Sequence, residues 1–288
     1  MGILRKLFGR KKAQEEELRA RAAMPVVRQA RFPFAFGWYG TDLPGYRACE
    51  DTYCFFSDAD LPSIGAPSET LDWLGPLDEA TDQQMQIHRD RATKPGQLQE
   101  IEAAARRLGL SVPAPFLRLM ASPALQDRIP SCTANYFELA QAIVPYPGSQ
   151  DGFIIRFMNE QQNILTWYLY LTRAGASAVI VTPFWLEELS GVQGDGALGT
   201  TMTATWGEGP DTVTREYSSG PLYTETADPQ AIQRVVAGTF LCGPSFVSFL
   251  YRYWLENVLW FKLQDASGAP LTEEERRYLA HYQDRPSG

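Results

Sequence analysis

The chain has 288 residues, 44% of them hydrophobic and 12% aromatic, and a formal charge of −8. That length and apolar content describe a globular protein able to bury a sizeable core, with disorder confined to the ends. Because Arg5, Lys6, Arg10, Lys11 and Lys12 meet no acid within residues 1–12, the remainder is more acidic than the total shows, which argues against nucleic-acid binding and suits a basic protein partner.

Residues 1–24 read as a basic amphipathic tail. Ile3, Leu4, Leu7 and Phe8 share one helical face, with Arg5, Lys6, Arg10, Lys11 and Lys12 around it. This is the pattern of a short helix lying on an anionic membrane surface, peripheral at its inner face. The alternative is the basic start of a solvated helix running on through Glu15, Glu16 and Glu17. Gly2 invites myristoylation, but Lys6 stands where Ser or Thr is wanted.

Residues 25–96 form an N-terminal extension of short strands and loops. Tyr53–Phe56 is its best strand, and a helical piece capped by Ser68 is predicted to reach Leu74. The segment 97–110 is an amphipathic helix with Leu98, Ile101, Ala105 and Leu108 on one face and Gly109 as its stop. A second helix follows over 115–121 with Phe116, Leu119 and Met120 inward, then a turn or short helix over 123–129 and a strand over 136–139.

The commanding stretch is 153–171, two strands joined at Asn159-Glu160-Gln161-Gln162. Alternation puts Phe153, Ile155, Phe157, Leu165, Trp167, Leu169 and Leu171 on one face, and Ile154, Met158, Ile164, Tyr168 and Tyr170 on the other. A hairpin apolar on both sides needs cover on both. A third strand is predicted at 178–182, a helical turn at 184–189, and strands at 200–206 and 212–217 that extend the sheet. A short helix at 229–236 precedes the apolar helix 245–263, whose strongly polar positions are Arg252, Glu256, Asn257 and Lys262. Arg252 and Glu256 are spaced to pair at i, i+4. Thr272 and Glu275 write a capping box for a last charged helix to Tyr282, after which the end frays.

Signals for chemistry are sparse. His88 and His281 have no third ligand or nucleophile beside them and read as surface histidines. Gly194–Gly199 matches GxGxxG, but no strand precedes it and Thr200–Thr205 favours a strand where a helix should begin, so it reads as a loop and no cofactor is expected. Neighbouring acids such as Asp58/Asp60 and Glu187/Glu188 read as surface groups. Cys49, Cys54, Cys132 and Cys242 are too scattered for a disulfide framework or a zinc site, which suits a reducing cytoplasm. Glu160, Gln161, Gln162, Trp167, Tyr168 and Tyr170 have the composition of a protein interface, against the alternative that a helix simply covers that face.

One order of motifs resembles a known family. Leu108-Gly109-Leu110-Ser111-Val112-Pro113, a Pro-started helix with Phe116 and Leu119, a strand pair with Glu160-Gln161-Gln162 at its turn and Trp167-Tyr168-Leu169-Tyr170-Leu171 in its second strand, and the closing helix 245–263 are together similar to the SUKH superfamily, the Smi/Knr-like proteins. The resemblance implies an α+β fold, a largely antiparallel sheet with helices packed on it, over residues 97–265 with an insertion at 183–240. Residues 266–288 then supply a C-terminal helix and frayed end. It further implies no catalysis. Bacterial members look like immunity proteins that neutralise toxin domains, and fungal members like intracellular scaffolds. The alternatives carried beside it are a membrane-surface adaptor docked by residues 1–12 and a hydrolase built on dispersed carboxylates.

Overall fold

A computed structural model describes residues 32–41, 43, 53–77, 81, 96–161, 164–187, 201–206, 213–218, 229–264 and 270–283. The expectations for the basic tail, for His88, Gln162 and Cys49, and for the Gly194–Gly199 loop lie outside these residues. In chain order the elements are β1 (Ala35–Phe36), β2 (Trp38–Gly40), β3 (Cys54–Phe56), α1 (Gln97–Leu108), α2 (Ala114–Met120), α3 (Pro123–Gln126), β4 (Tyr136–Phe137), β5 (Val144–Pro145), β6 (Gly152–Asn159), β7 (Thr166–Thr172), β8 (Ser177–Thr182), β9 (Thr201–Trp206), β10 (Val213–Ser218), α4 (Pro229–Ala237), β11 (Phe240–Gly243), α5 (Phe246–Gln264) and α6 (Glu273–Gln283).

The fold is α+β. A seven-stranded sheet runs β1-β11-β8-β7-β6-β4, with β5 also on β6, and all its pairings are antiparallel except β1 with β11. β6, β7 and β8 are the expected meander. The predicted alternation gives the sheet two apolar faces. Phe153, Ile155, Phe157, Leu165, Trp167, Leu169 and Leu171 enter one core, and Ile154, Tyr168 and Tyr170 enter a second, smaller one. Two residues depart from that pattern. The register of β6 against β7 shifts between Arg156 and Met158, so Met158 joins Phe157 in the first core. Ile164 lies before β7 begins and packs against the first core too.

Helices cover the first face. α1 turns Ile101 and Ala105 inward, with Leu98 and Leu108 half-buried beside them. It ends at Gly109, whose φ of 72° lets Leu110 N–H reach Ala105 O at 2.9 Å. Phe116 of α2 and Phe246 and Phe249 of α5 surround Phe157, with ring centroids at 5.6, 5.5 and 5.9 Å. The second face is covered by irregular chain: Phe32, Phe34, Tyr146, Leu186 and Val235 of α4 close over Ile154, Tyr168, Tyr170 and Ile180.

The N-terminal extension is joined to this sheet. β1 is its parallel edge strand, and β2 pairs with β3 so that Trp38 meets Phe249 at 5.8 Å and Phe55 meets Phe240 at 5.1 Å. The helix predicted from Ser68 to Leu74 is instead a pair of turns, Leu71 N to Ser68 O and Leu74 N to Leu71 O, because Leu71 takes φ 58° and cannot continue a helix. β9 and β10 form a hairpin as expected, but they make their own two-stranded sheet and do not extend the main one. β11 is an addition to the expected strands, since three apolar residues, Phe240, Leu241 and Cys242, between Gly238 and Gly243-Pro244 read equally as a loop.

The strongly polar positions on the apolar helix α5 fasten it to other segments. Asn257 accepts from Cys132 N at 2.8 Å, and Lys262 donates to Glu275 at 2.7 Å. Glu275 also completes the expected capping box, with Thr272 N to Glu275 Oε2 at 2.7 Å and Glu275 N to Thr272 Oγ1 at 3.2 Å. Arg252 and Glu256 meet through Tyr278, whose hydroxyl accepts from Arg252 Nη1 at 2.9 Å and donates to Glu256 Oε1 at 2.6 Å. Glu256 Oε2 takes Trp38 Nε1 at 2.9 Å and Thr41 N at 3.3 Å. Gly40 makes room for this bond: a Cβ there would lie 2.7 Å from Glu256 Oε2 and 2.6 Å from Trp38 Nε1.

Burial raises the pKa of Glu256 above the ordinary carboxylate value, with Arg252, Tyr278, Trp38 and Thr41 opposing the shift. A carboxyl raised in the folded state favours folding while protonated and weakens it once ionised. Wild-type stability relative to Glu256→Gln should therefore grow as pH falls through the raised value toward the ordinary 4.5. At pH 7 Glu256→Ala, which strands Trp38, Thr41 and Tyr278 in the core, should cost about 3 kcal/mol. Urea unfolding of the three proteins across pH checks both, and a pH-independent difference between wild type and Glu256→Gln would count against the assignment.

Candidate binding site at the polar corner of the second sheet face

Three successive rows of residues cross the second face of β6, β7 and β8. The first is Ile154, Tyr170 and Ala178, and the next is Arg156, Tyr168 and Ile180. The last is Asn159, Thr166 and Thr182. The face thus runs from apolar to polar along the strands, and its small core stops at Tyr168. Beyond the bulge, β4 lies against the end of β6, with Tyr136 opposite Asn159. The chain leaving β4 continues the pairing, Glu138 N to Phe157 O at 2.9 Å and Ala140 N to Arg156 O at 2.8 Å. That places Glu138 beside Asn159 and Arg156.

Arg156 is the centre of this corner. Its Nη1 meets Glu138 Oε2 at 2.5 Å and its Nε meets Glu187 Oε1 at 2.7 Å, while the guanidinium carbon lies 4.6 Å from the Trp185 ring centre. Burial lowers the Arg156 pKa, but Glu187 and Glu138 outweigh it and hold the group above its ordinary value. Tyr168 donates to Glu187 Oε2 at 2.7 Å and accepts from Leu186 N at 2.9 Å. Burial, then the Glu187 charge, raises its pKa, so it stays a neutral donor. Asn159 Nδ2 donates to Glu138 Oε2 at 2.7 Å. With one guanidinium and two carboxylates the cluster carries a net negative charge. Its rim reaches solvent at Glu138, whose side chain is 46% exposed, against 17% for Glu187.

The sequence-predicted interface residues are dispersed. Trp167 is in the first core, 6.4 Å from Tyr253 and 6.5 Å from Tyr53. Tyr170 is in the second, against Phe34 at 4.9 Å and Tyr146 at 5.8 Å. Tyr168 is fully buried, and only its hydroxyl belongs to the corner. The chain's own segments thus occupy the aromatic contacts expected of a partner, because a two-faced sheet takes whatever apolar cover is nearest. Glu160 is buried on the turn and accepts from Ile164 N at 3.2 Å, whereas Gln161 is exposed. Glu187, read as a surface acid, is drawn under Arg156 and Tyr168. His281 faces Asp60 O at 3.0 Å. Arg156 was the overlooked signal: it is the one charge in strand β6, and such a charge needs a counter-ion when buried.

Among the described residues no group of three or more His, Cys, Asp or Glu side chains is placed to hold a metal, and no helix is long and apolar enough to cross a membrane. Comparison with protein-family models, with curated proteins and with solved structures finds no significant match.

Arg156→Met should destabilise the fold by about 3 kcal/mol, chiefly by leaving Glu187 buried without its cation. Adding Glu187→Gln should restore more than half of that loss, whereas adding Glu138→Gln should restore little, since solvent already screens Glu138. A double-mutant cycle by urea unfolding reads both couplings.

Proposed function

We propose that this chain is a non-enzymatic protein-binding module, of the immunity-protein type that the SUKH resemblance implies, acting in the cytoplasm on a basic partner such as a toxin domain. The carrying observation is the corner itself, a net-negative cluster fixed by Arg156 and opening to solvent at Glu138 beside the short strand β4. Rigid, pre-oriented charges at a sheet edge select a partner and speed its approach. The charge of −8 over the whole chain adds long-range attraction for a basic protein.

A carboxylate-based hydrolase is the weaker reading. The two acids that converge here have the Arg156 guanidinium between them, where a substrate would have to lie. Cys132 and Cys242 are buried thiols, in keeping with a reducing compartment.

Products of the genes flanking this one supply the test. Co-expression with the present chain should protect cells from a toxic neighbour, and the purified pair should bind with an affinity that falls about tenfold or more between low and physiological salt. Neither protection nor binding from any neighbour would overturn the immunity reading.

A further inference from the structure

Both ends of the described chain are fastened to one carboxylate. Glu256, buried on α5, takes Trp38 Nε1 at 2.9 Å and Thr41 N at 3.3 Å on Oε2. On Oε1 it takes the Tyr278 hydroxyl at 2.6 Å and the Tyr282 hydroxyl at 3.5 Å. The first two donors come from β2 and the residue after it, the other two from α6. Arg252, one turn earlier on α5, repeats the arrangement, with Nη2 donating to Pro62 O at 3.0 Å and Nη1 to the Tyr278 hydroxyl at 2.9 Å. Two further contacts join the ends directly. The Tyr282 ring centre lies 5.6 Å from that of Phe56 in β3, and His281 Nε2 lies 3.0 Å from Asp60 O.

Each half of this arrangement strengthens the other. With α6 lifted, Oε1 loses both hydroxyl donors, and Trp38 and Thr41 then bond a hydrated carboxylate in place of a buried one. With β2 and β3 lifted, α6 loses the Phe56 ring, Asp60 O and a carboxylate oriented from the far side. Neither half is firmly held alone. The β2–β3 ribbon has three residues to a strand and makes its own two-stranded sheet, and α6 docks by burying Tyr278, Leu279 and Tyr282. Short elements held by a few side chains are where a native protein opens first. We infer that α6 and the β2–β3 ribbon form one clamp on α5, which opens and closes as a unit without unfolding of the main sheet, with Glu256 as the shared catch. By linkage, whatever draws one half away releases the other, so the N-terminal strands and the C-terminal helix communicate through a buried carboxylate. The device is independent of what the polar corner binds.

Amide hydrogen exchange of the full chain, at one pH and temperature, reads the opening. The amides of α6 and of β2–β3 should share one protection factor, about tenfold or more below that of β7. Lys262→Met removes the ion pair of α5 with Glu275 of α6 and no bond to the ribbon. It should nevertheless lower protection in α6 and in β2–β3 by the same factor, about tenfold. Trp38→Phe, which removes one donor to Glu256 from the other side, should lower protection in α6 as much as in its own strands. A loss confined to the mutated half in either variant would overturn the inference. Protection of α6 and β2–β3 equal to that of β7 would overturn it too, since the two would then open only with the whole molecule.

Discussion

A β-sheet that is apolar on both faces cannot stand in water, and this one constraint organises the chain. Phe153, Ile155, Phe157 and their neighbours need one cover, and Ile154, Tyr168, Tyr170 and Ile180 need another. The first is supplied by α1, α2 and α5, which come from both sides of the meander in sequence. The second comes from pieces with little regular structure, Phe32 and Phe34 before β1, Tyr146 after β5, Leu186 after β8 and one turn of α4. Long-range contacts of this kind make the extension and the insertion parts of one core.

Apolar burial of that sort is permissive about orientation, and the buried polar groups remove the ambiguity. α5 is greasy around most of its circumference and could rotate or slide at small cost in contact area. Glu256, Asn257, Arg252 and Lys262 each have a partner in a different segment, so any rotation would strand a charge or an amide in the core. The price is desolvation of a carboxylate, visible in the raised pKa of Glu256. Specific docking of the N-terminal strands and of α6 onto one face of α5 is what this arrangement secures.

The polar corner begins where the second cover ends. Along the strands the apolar rows give way there to Arg156, Asn159, Thr166 and Thr182. The β6 bulge turns both Phe157 and Met158 to the opposite core, and it leaves Asn159 on the same face as Arg156. A shift in the strand register thus collects a guanidinium and two carboxylates at one corner of the sheet. Each charge there is oriented by its neighbour, Arg156 by Glu138 and Glu187.

What could be read along the chain was local and periodic. The meander, the amphipathic face of α1 with its Gly109 stop, the Thr272–Glu275 box and the two-sided hydrophobicity of 153–171 are all written within a few turns or strands of sequence. Local rules erred where distant contacts overrode them, as at Leu71, whose φ of 58° ends the predicted helix, and at Met158, which the bulge turns to the other face. The site was less legible than the fold. Trp167, Tyr168 and Tyr170 have the composition of an interface, but composition does not say whether a partner or the chain's own Phe34 and Tyr253 will cover them. Glu138, Arg156 and Glu187 are separated by 18 and 31 residues and share no motif. The sequence by itself determined which segments must be buried, since hydrophobic periodicity is a property of neighbours. Only the tertiary structure decided which charges would meet, because that depends on strand order, register and a single bulge.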